Sequence, residues 1–226
     1  MRKSGEALPR LLLIADGFAA GHATPRETWP PHLMQLRAFA AAAAGVPWVQ
    51  LRDHEASGER FGREAERFRD DVARLPVLLS VNTHVDVARR LGTGLHVGRR
   101  GPSVAEARAM LPGAVLSAAV HSAEEAVGAA EAGADAVLFS PVFATTSKPG
   151  RAGAGLDALA ECCAAVPGTP VIALGGVTPA RVAGCLAAGA HGVAVLSGIL
   201  FPQRPGDIFD AVQSYRAALG LPIHTR

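Results

Sequence analysis

Several absences bound what this chain can be. Apolar residues make up 49% of it, yet no apolar run approaches the roughly 18–20 residues that a membrane-spanning helix needs. The stretch from Leu11 to Ala15 is too short for the core of an export signal and runs into Asp16, so neither a membrane partner nor export is expected. Cysteine is scarce: Cys162, Cys163 and Cys185 fit neither a disulfide framework nor the spacing of a zinc site, which points to a reducing cytoplasm. Aromatic residues are only 5% of the chain and the net charge of +2 is spread thinly. There is thus neither a stacking platform nor a basic stripe for nucleic acid.

What is present is alternation. Short β-branched or leucine-rich runs take turns with longer segments rich in alanine, glutamate and arginine, the pattern of repeated βα units around a parallel sheet. Strands are read at Leu11 to Asp16, Trp48 to Asp53, Val77 to Asn82, Gly94 to Gly98, Val115 to His121, Ala136 to Val142, Pro170 to Gly176 and Gly192 to Ser197. The predicted helices are Pro31 to Ala44, Gly58 to Leu75, His84 to Leu91, Val104 to Leu111, Ala123 to Ala132, Leu156 to Val166, Pro179 to Ala188 and Gly206 to Leu219. Runs such as Val-Ile-Ala-Leu do not alternate with polar residues, so the strands should be covered on both faces. The half-unit of helix, glycine and strand occurs twice, at 130 to 137 and at 186 to 193, with Gly133 and Gly189 at the left-handed position. No G-x-G-x-x-G follows the first strand, which weighs against an open dinucleotide-binding sheet. The expectation is one α/β domain over residues 1–226, a (β/α)₈ TIM barrel with residues 1–10 as an N-terminal extension.

Barrels of this kind carry their chemistry at the C-terminal ends of the strands. Glycine turns follow the seventh strand (Gly175, Gly176) and the eighth (Ser197, Gly198), where backbone N–H groups can hold an anion. A lone Gly-Gly is more often just a tight turn; two on adjacent strands make a phosphate cradle the better reading. The segment Phe143 to Gly155 is long for a βα loop and carries Thr145, Thr146, Ser147 and Lys148, so it reads as a lid whose lysine clamps phosphate, set against a merely solvated loop. His54, His84 and His121 fall at or just past strand ends and are the acid/base candidates. Each alone would more often be a hydrogen-bonded structural residue. His96 lies inside the fourth strand and is read as facing a helix or a barrel layer, and His22, His32, His191 and His224 as surface or packing residues.

These residues fall into strings: Val-Gln-Leu-Arg-Asp (49 to 53), Asn-Thr-His-Val-Asp-Val-Ala (82 to 88), Gly-Leu-His-Val-Gly (94 to 98), Ser-Pro-Val-Phe-Ala-Thr-Thr-Ser-Lys-Pro-Gly (140 to 150) and Ile-Ala-Leu-Gly-Gly-Val-Thr-Pro (172 to 179). Together they resemble the thiamin phosphate synthase/TenI family. The resemblance implies that Gln50, Arg52 and Asn82 contact substrate, that Thr145, Ser147 and Lys148 form the loop clamp, and that Gly176, Ser197 and Gly198 hold a thiazole phosphate. The family's synthases join a pyrimidine methyl diphosphate to that thiazole phosphate with the help of Mg²⁺. Four positions depart from their pattern: His54 stands for a lysine, Thr83 and Gly101 for the two aspartates that hold Mg²⁺, and Ala119 for a serine. The TenI branch isomerises a thiazole carboxylate phosphate without a metal, but its catalytic histidine corresponds to Pro141 here, so His121, His54 or His84 would have to move the proton.

Three readings follow. The leading one is a TenI-like protein of thiamin biosynthesis that binds thiazole phosphate or thiamin phosphate, acts as a thiazole tautomerase and needs no metal. The alternative is a divergent thiamin phosphate synthase in which His54, Arg99 and Arg100 replace the metal site, with Mg²⁺ as cofactor only in this case. The third is a silent binding protein of the same pathway. Size and family suggest a homo-oligomer.

Overall fold

A computed structural model of the chain describes residues 7–23, 28–145, 152–201 and 208–224. Eight parallel strands, each hydrogen-bonded to its sequence neighbours, close into a barrel: β1 (Leu11–Asp16), β2 (Trp48–Arg52), β3 (Leu78–Asn82), β4 (Gly94–Val97), β5 (Leu116–Val120), β6 (Ala136–Phe139), β7 (Val171–Leu174) and β8 (Gly192–Val195). The ring is sealed where β8 pairs with β1, Leu11 opposite Val193. Outside it run α1 (Pro31–Ala43), α2 (Gly58–Asp71), α3 (Val85–Leu91), α4 (Val104–Met110), α5 (Ala123–Glu131), α6 (Gly155–Ala165), α7 (Pro179–Ala187), the short α8 (Ser197–Leu200) and α9 (Ile208–Ala218).

The sequence sets the joints. Ser57, Ser103 and Ser122 each accept a hydrogen bond from a backbone N–H of the first helical turn, and Glu106 returns the bond to Ser103 as a capping box. Each cap fixes where a βα loop ends and its helix begins, and replacing such a serine by alanine typically costs about 1 kcal/mol. Gly133 and Gly189 hold the left-handed positions expected of them.

Because side chains alternate along a strand, every second residue enters the barrel. The interior is divided by chemistry. Leu12, Ile14, Leu138, Ile172 and Ala194 form an apolar cluster with Trp48 and with Leu8, which precedes β1 and is itself buried. β2 to β5 also turn buried polar residues inward: Gln50, Ser80, Asn82, His96 and Ser117. The indole N–H of Trp48 donates to Ser80 Oγ at 2.9 Å, joining the two halves.

The structure departs from the expected elements in two ways. Strands end earlier than their apolar runs: β5 stops at Val120 and β6 at Phe139, and the residues beyond turn into cavity wall. A two-stranded antiparallel hairpin (His22–Ala23 with Thr28–Trp29) and α8 occupy stretches read as loop or strand end.

Candidate functional site

At the carboxyl ends of the strands lies a cavity of about 690 Å³, a size suited to a small organic ligand. One wall is built from glycine turns. Gly176 has φ 63°, and a Cβ there would meet the carbonyl oxygen of Ala144 at 2.5 Å, so only glycine lets the turn after β7 lie against the loop after β6. A Cβ on Gly198 would fall 2.3 Å from the hydroxyl of Tyr215. That tyrosine is buried and donates to the Val177 carbonyl at 3.0 Å, and burial pushes its pKa up to about 12, so it stays a neutral donor. Arg181, on α7, donates to the Gly176 carbonyl at 2.7 Å with its guanidinium 4.6 Å from the Phe143 ring centroid. Gly175, Thr178 and the exposed Ser197 complete this wall.

The floor is polar and neutral. Gln50 is 1% exposed, and its Oε1 has no hydrogen-bond partner among the described residues although it borders the cavity. An orphaned acceptor of this kind costs about 1–3 kcal/mol unless a ligand donor meets it. His96 lies in register between Asn82 and Ser117, with Nδ1 3.0 Å from Ser117 Oγ. Burial, aided by the positive charge of Arg52, lowers its pKa to about 3, so the ring stays neutral. Of the two places the sequence allows His96, facing a helix or within a barrel layer, it takes the second, in the layer that floors the cavity.

The opposite wall is cationic. Arg52 pairs with Asp16 through Nε at 2.8 Å, and His54, Arg99 and Arg100 stand exposed beside it. Arg99 and Arg100 occupy the tip of a turn closed by the bond from Gly101 N to Gly98 O, 3.1 Å. Asp53 does not face the cavity: its carboxylate accepts from the backbone N–H groups of Ala19, Ala20, Glu55 and Ala56, so it fixes the loop that carries His54.

Of the three acid/base candidates, the structure brings His54 and His121 to the cavity and does not bring His84 there. His84 precedes α3 and stacks on Phe61 of α2 at 4.4 Å, which buries it by half and lowers its pKa. His121 contacts the Ser140 carbonyl oxygen through Nδ1 at 2.5 Å, while its backbone N–H donates to Glu125. With Nδ1–H committed to that carbonyl, Nε2 is the ring nitrogen left to act as acceptor. Thr145 reaches the cavity edge; Ser147 and Lys148 lie outside the described residues. Arg181 and Tyr215 were not foreseen, since neither sits at a strand end.

A protein-held Mg²⁺ does not fit these residues. Among the described residues no carboxylate lines the cavity and no three His, Cys, Asp or Glu side chains gather as ligands. Thr83 turns its hydroxyl back to the Asn82 carbonyl at 2.7 Å, and Gly101 offers no side chain at all. Mg²⁺ normally takes at least one carboxylate from its protein.

Fold and site together define a (β/α)₈-barrel protein with a ligand-sized cavity at the strand ends, glycine-lined on one side and cationic on the other. The family described as thiamine monophosphate synthase matches residues 31–199, and the chain belongs to it. It is 42% identical over 179 residues to the thiamine-phosphate synthase of Methanoculleus marisnigri, covering 78% of this chain and 83% of that one. It is 36% identical over 196 residues to the thiamine-phosphate synthase of Salinibacter ruber, covering 83% and 85%. Thiamine phosphate pyrophosphorylase from Pyrococcus furiosus superposes with a TM-score of 0.77 at 24% identity over 93% of this chain and 95% of that one, a likeness of fold. The relatives carry the synthase name, which favours the alternative sequence reading over the TenI-like one.

Proposed function

We propose that this protein is a thiamin phosphate synthase, a transferase that joins a pyrimidine methyl diphosphate to a thiazole phosphate. The observation that carries this reading is one cavity with two anion-suited walls separated by a neutral, hydrogen-bonding floor. Two phosphorylated substrates can then lie with their reacting groups between the walls. The bond from the pyrimidine methylene to the diphosphate oxygen breaks with its electron pair leaving on the diphosphate, and the thiazole nitrogen lone pair forms the new C–N bond. No proton has to move.

In this reading Gly175, Gly176, Ser197 and Gly198 hold the thiazole phosphate with Thr145 at the cavity edge, and Ser147 and Lys148 keep the clamp role that the family resemblance implies. Gln50 and Asn82 orient the pyrimidine, and Arg52 faces the diphosphate. A neutral His96 keeps the floor from repelling a developing cation. A biosynthetic step on small phosphorylated molecules suits the cytoplasm. The test is to incubate the protein with both substrates and look for thiamin phosphate, with and without Mg²⁺; absence of product in both conditions would rule the synthase out. A second reading, tautomerisation of a thiazole carboxylate phosphate, draws on one observation: the anchored ring of His121 leaves Nε2 for proton transfer.

A further inference from the structure

We infer that the Arg99–Arg100 turn is a diphosphate subsite that neutralises its ligand with guanidinium groups alone, without a divalent cation. The inference deepens the synthase reading and rests on it only for the organic group that the diphosphate carries.

The turn from Gly98 to Gly101 places two consecutive arginines at its tip, and both border the cavity. Neither makes a hydrogen bond or an ion pair among the described residues, unlike Arg52, whose charge is shared with Asp16. Guanidinium forks match phosphate oxygens two at a time, and such charge-assisted bonds are about twice as strong as neutral ones. A diphosphate gains one negative charge when it leaves carbon, so donors already aimed at it act more strongly in the transition state than in the ground state. The carboxylates that would hold Mg²⁺ would also repel the same oxygens, and the cavity lining contains none among the described residues. Gly101 ends the turn against Thr83, where an added Cβ would lie 3.3 Å from Thr83 Cγ2.

The direct probe is inorganic pyrophosphate, titrated calorimetrically into the full chain in chelator and again with excess Mg²⁺. Binding is expected in chelator, strengthened no more than about twofold by Mg²⁺. Arg99→Ala/Arg100→Ala should weaken it at least about tenfold, as loss of charge-assisted bonds to two guanidiniums requires. Arg99→Lys/Arg100→Lys should retain part of it, and the melting temperature of both variants should stay at the parent value because the side chains are exposed. Binding that appears only with Mg²⁺, or a double alanine variant that binds like the parent, would overturn the subsite. Synthase activity separates the two claims. Product that vanishes in chelator and returns with Mg²⁺ would refute the inference and keep the synthase. No product in either condition, with pyrophosphate still bound in chelator, would remove the synthase and support the subsite.

Discussion

Thr83 and Gly101 touch: a Cβ built on Gly101 would lie 3.3 Å from Thr83 Cγ2, and Thr83 itself holds a φ of 62°. That backbone region is rare for a β-branched residue and easier for Asp or Asn. Thr83→Asp should therefore fold well, whereas Gly101→Asp alone must displace Thr83 and should cost about 1 kcal/mol, as modest overpacking does. The double variant should gain Mg²⁺-dependent pyrophosphate binding that neither single variant shows. Urea melts and calorimetry check both halves; a double variant blind to Mg²⁺ would dissociate these positions from metal binding.

The neutral floor has a signature in acid. His96 has its pKa lowered from 6.5 to about 3 by burial, so the unfolded chain takes up a proton that the folded chain refuses. Its effect on stability is absent above the unfolded value and destabilises progressively as pH falls through the window from about 6.5 to 3. The slope should approach about 1.4 kcal/mol per pH unit from this residue. His84, also lowered, adds in the same direction. Denaturant melts of the parent and His96→Gln between pH 7 and 4 should show a shallower decline in the variant; parallel curves would mean that His96 is not held neutral.

Gly198 and Tyr215 should be energetically coupled. Gly198→Ala pushes its new methyl into the tyrosine hydroxyl, a clash expected to cost about 1–3 kcal/mol. Tyr215→Phe removes that hydroxyl along with the bond to Val177. The double variant should be less destabilised than the sum of the singles, by at least about 0.5 kcal/mol in a thermodynamic cycle. Strict additivity would mean that the glycine is not needed for close approach.

The tautomerase reading is tested by deuterium exchange into a thiazole carboxylate phosphate. If the parent catalyses exchange, His121→Asn should lower it by about 10²–10⁴-fold, the usual contribution of a general base, while His84→Asn leaves it near the parent value. Parent-like exchange in His121→Asn would move the role to His54, and no exchange in the parent would leave only synthesis or silent binding.

Much of this architecture was legible because a parallel barrel writes itself in local runs: β1 has the limits read from Leu11 to Asp16, and the starts of β2, β4, β6 and β8 coincide with their apolar runs. The strand-end rule also located Gln50, Asn82, Gly176 and Gly198 on the cavity. It failed where two residues share a position in sequence but not a direction. His84 and His54 both follow a strand closely, yet His84 is turned outward by the start of α3 and caught against Phe61. Tyr215 enters from α9 and Arg181 from α7, so no pattern within one βα unit announces them. Asp53 reads as part of a substrate motif, but its four backbone partners make it a clasp between two loops.

The buried Leu8, packed among Leu12, Ile14 and Trp48, carries a further consequence. It packs into the barrel from the end opposite the cavity, so among the described residues the cavity is reached from the strand-end side. Two ligands that share a doorway cannot pass each other freely. Under the proposed synthase reading, a molecule held by Gln50 and Asn82 arrives before the glycine wall is filled and departs after it empties. Queueing of that kind gives compulsory-order rather than random-order inhibition patterns when each substrate is varied against the other.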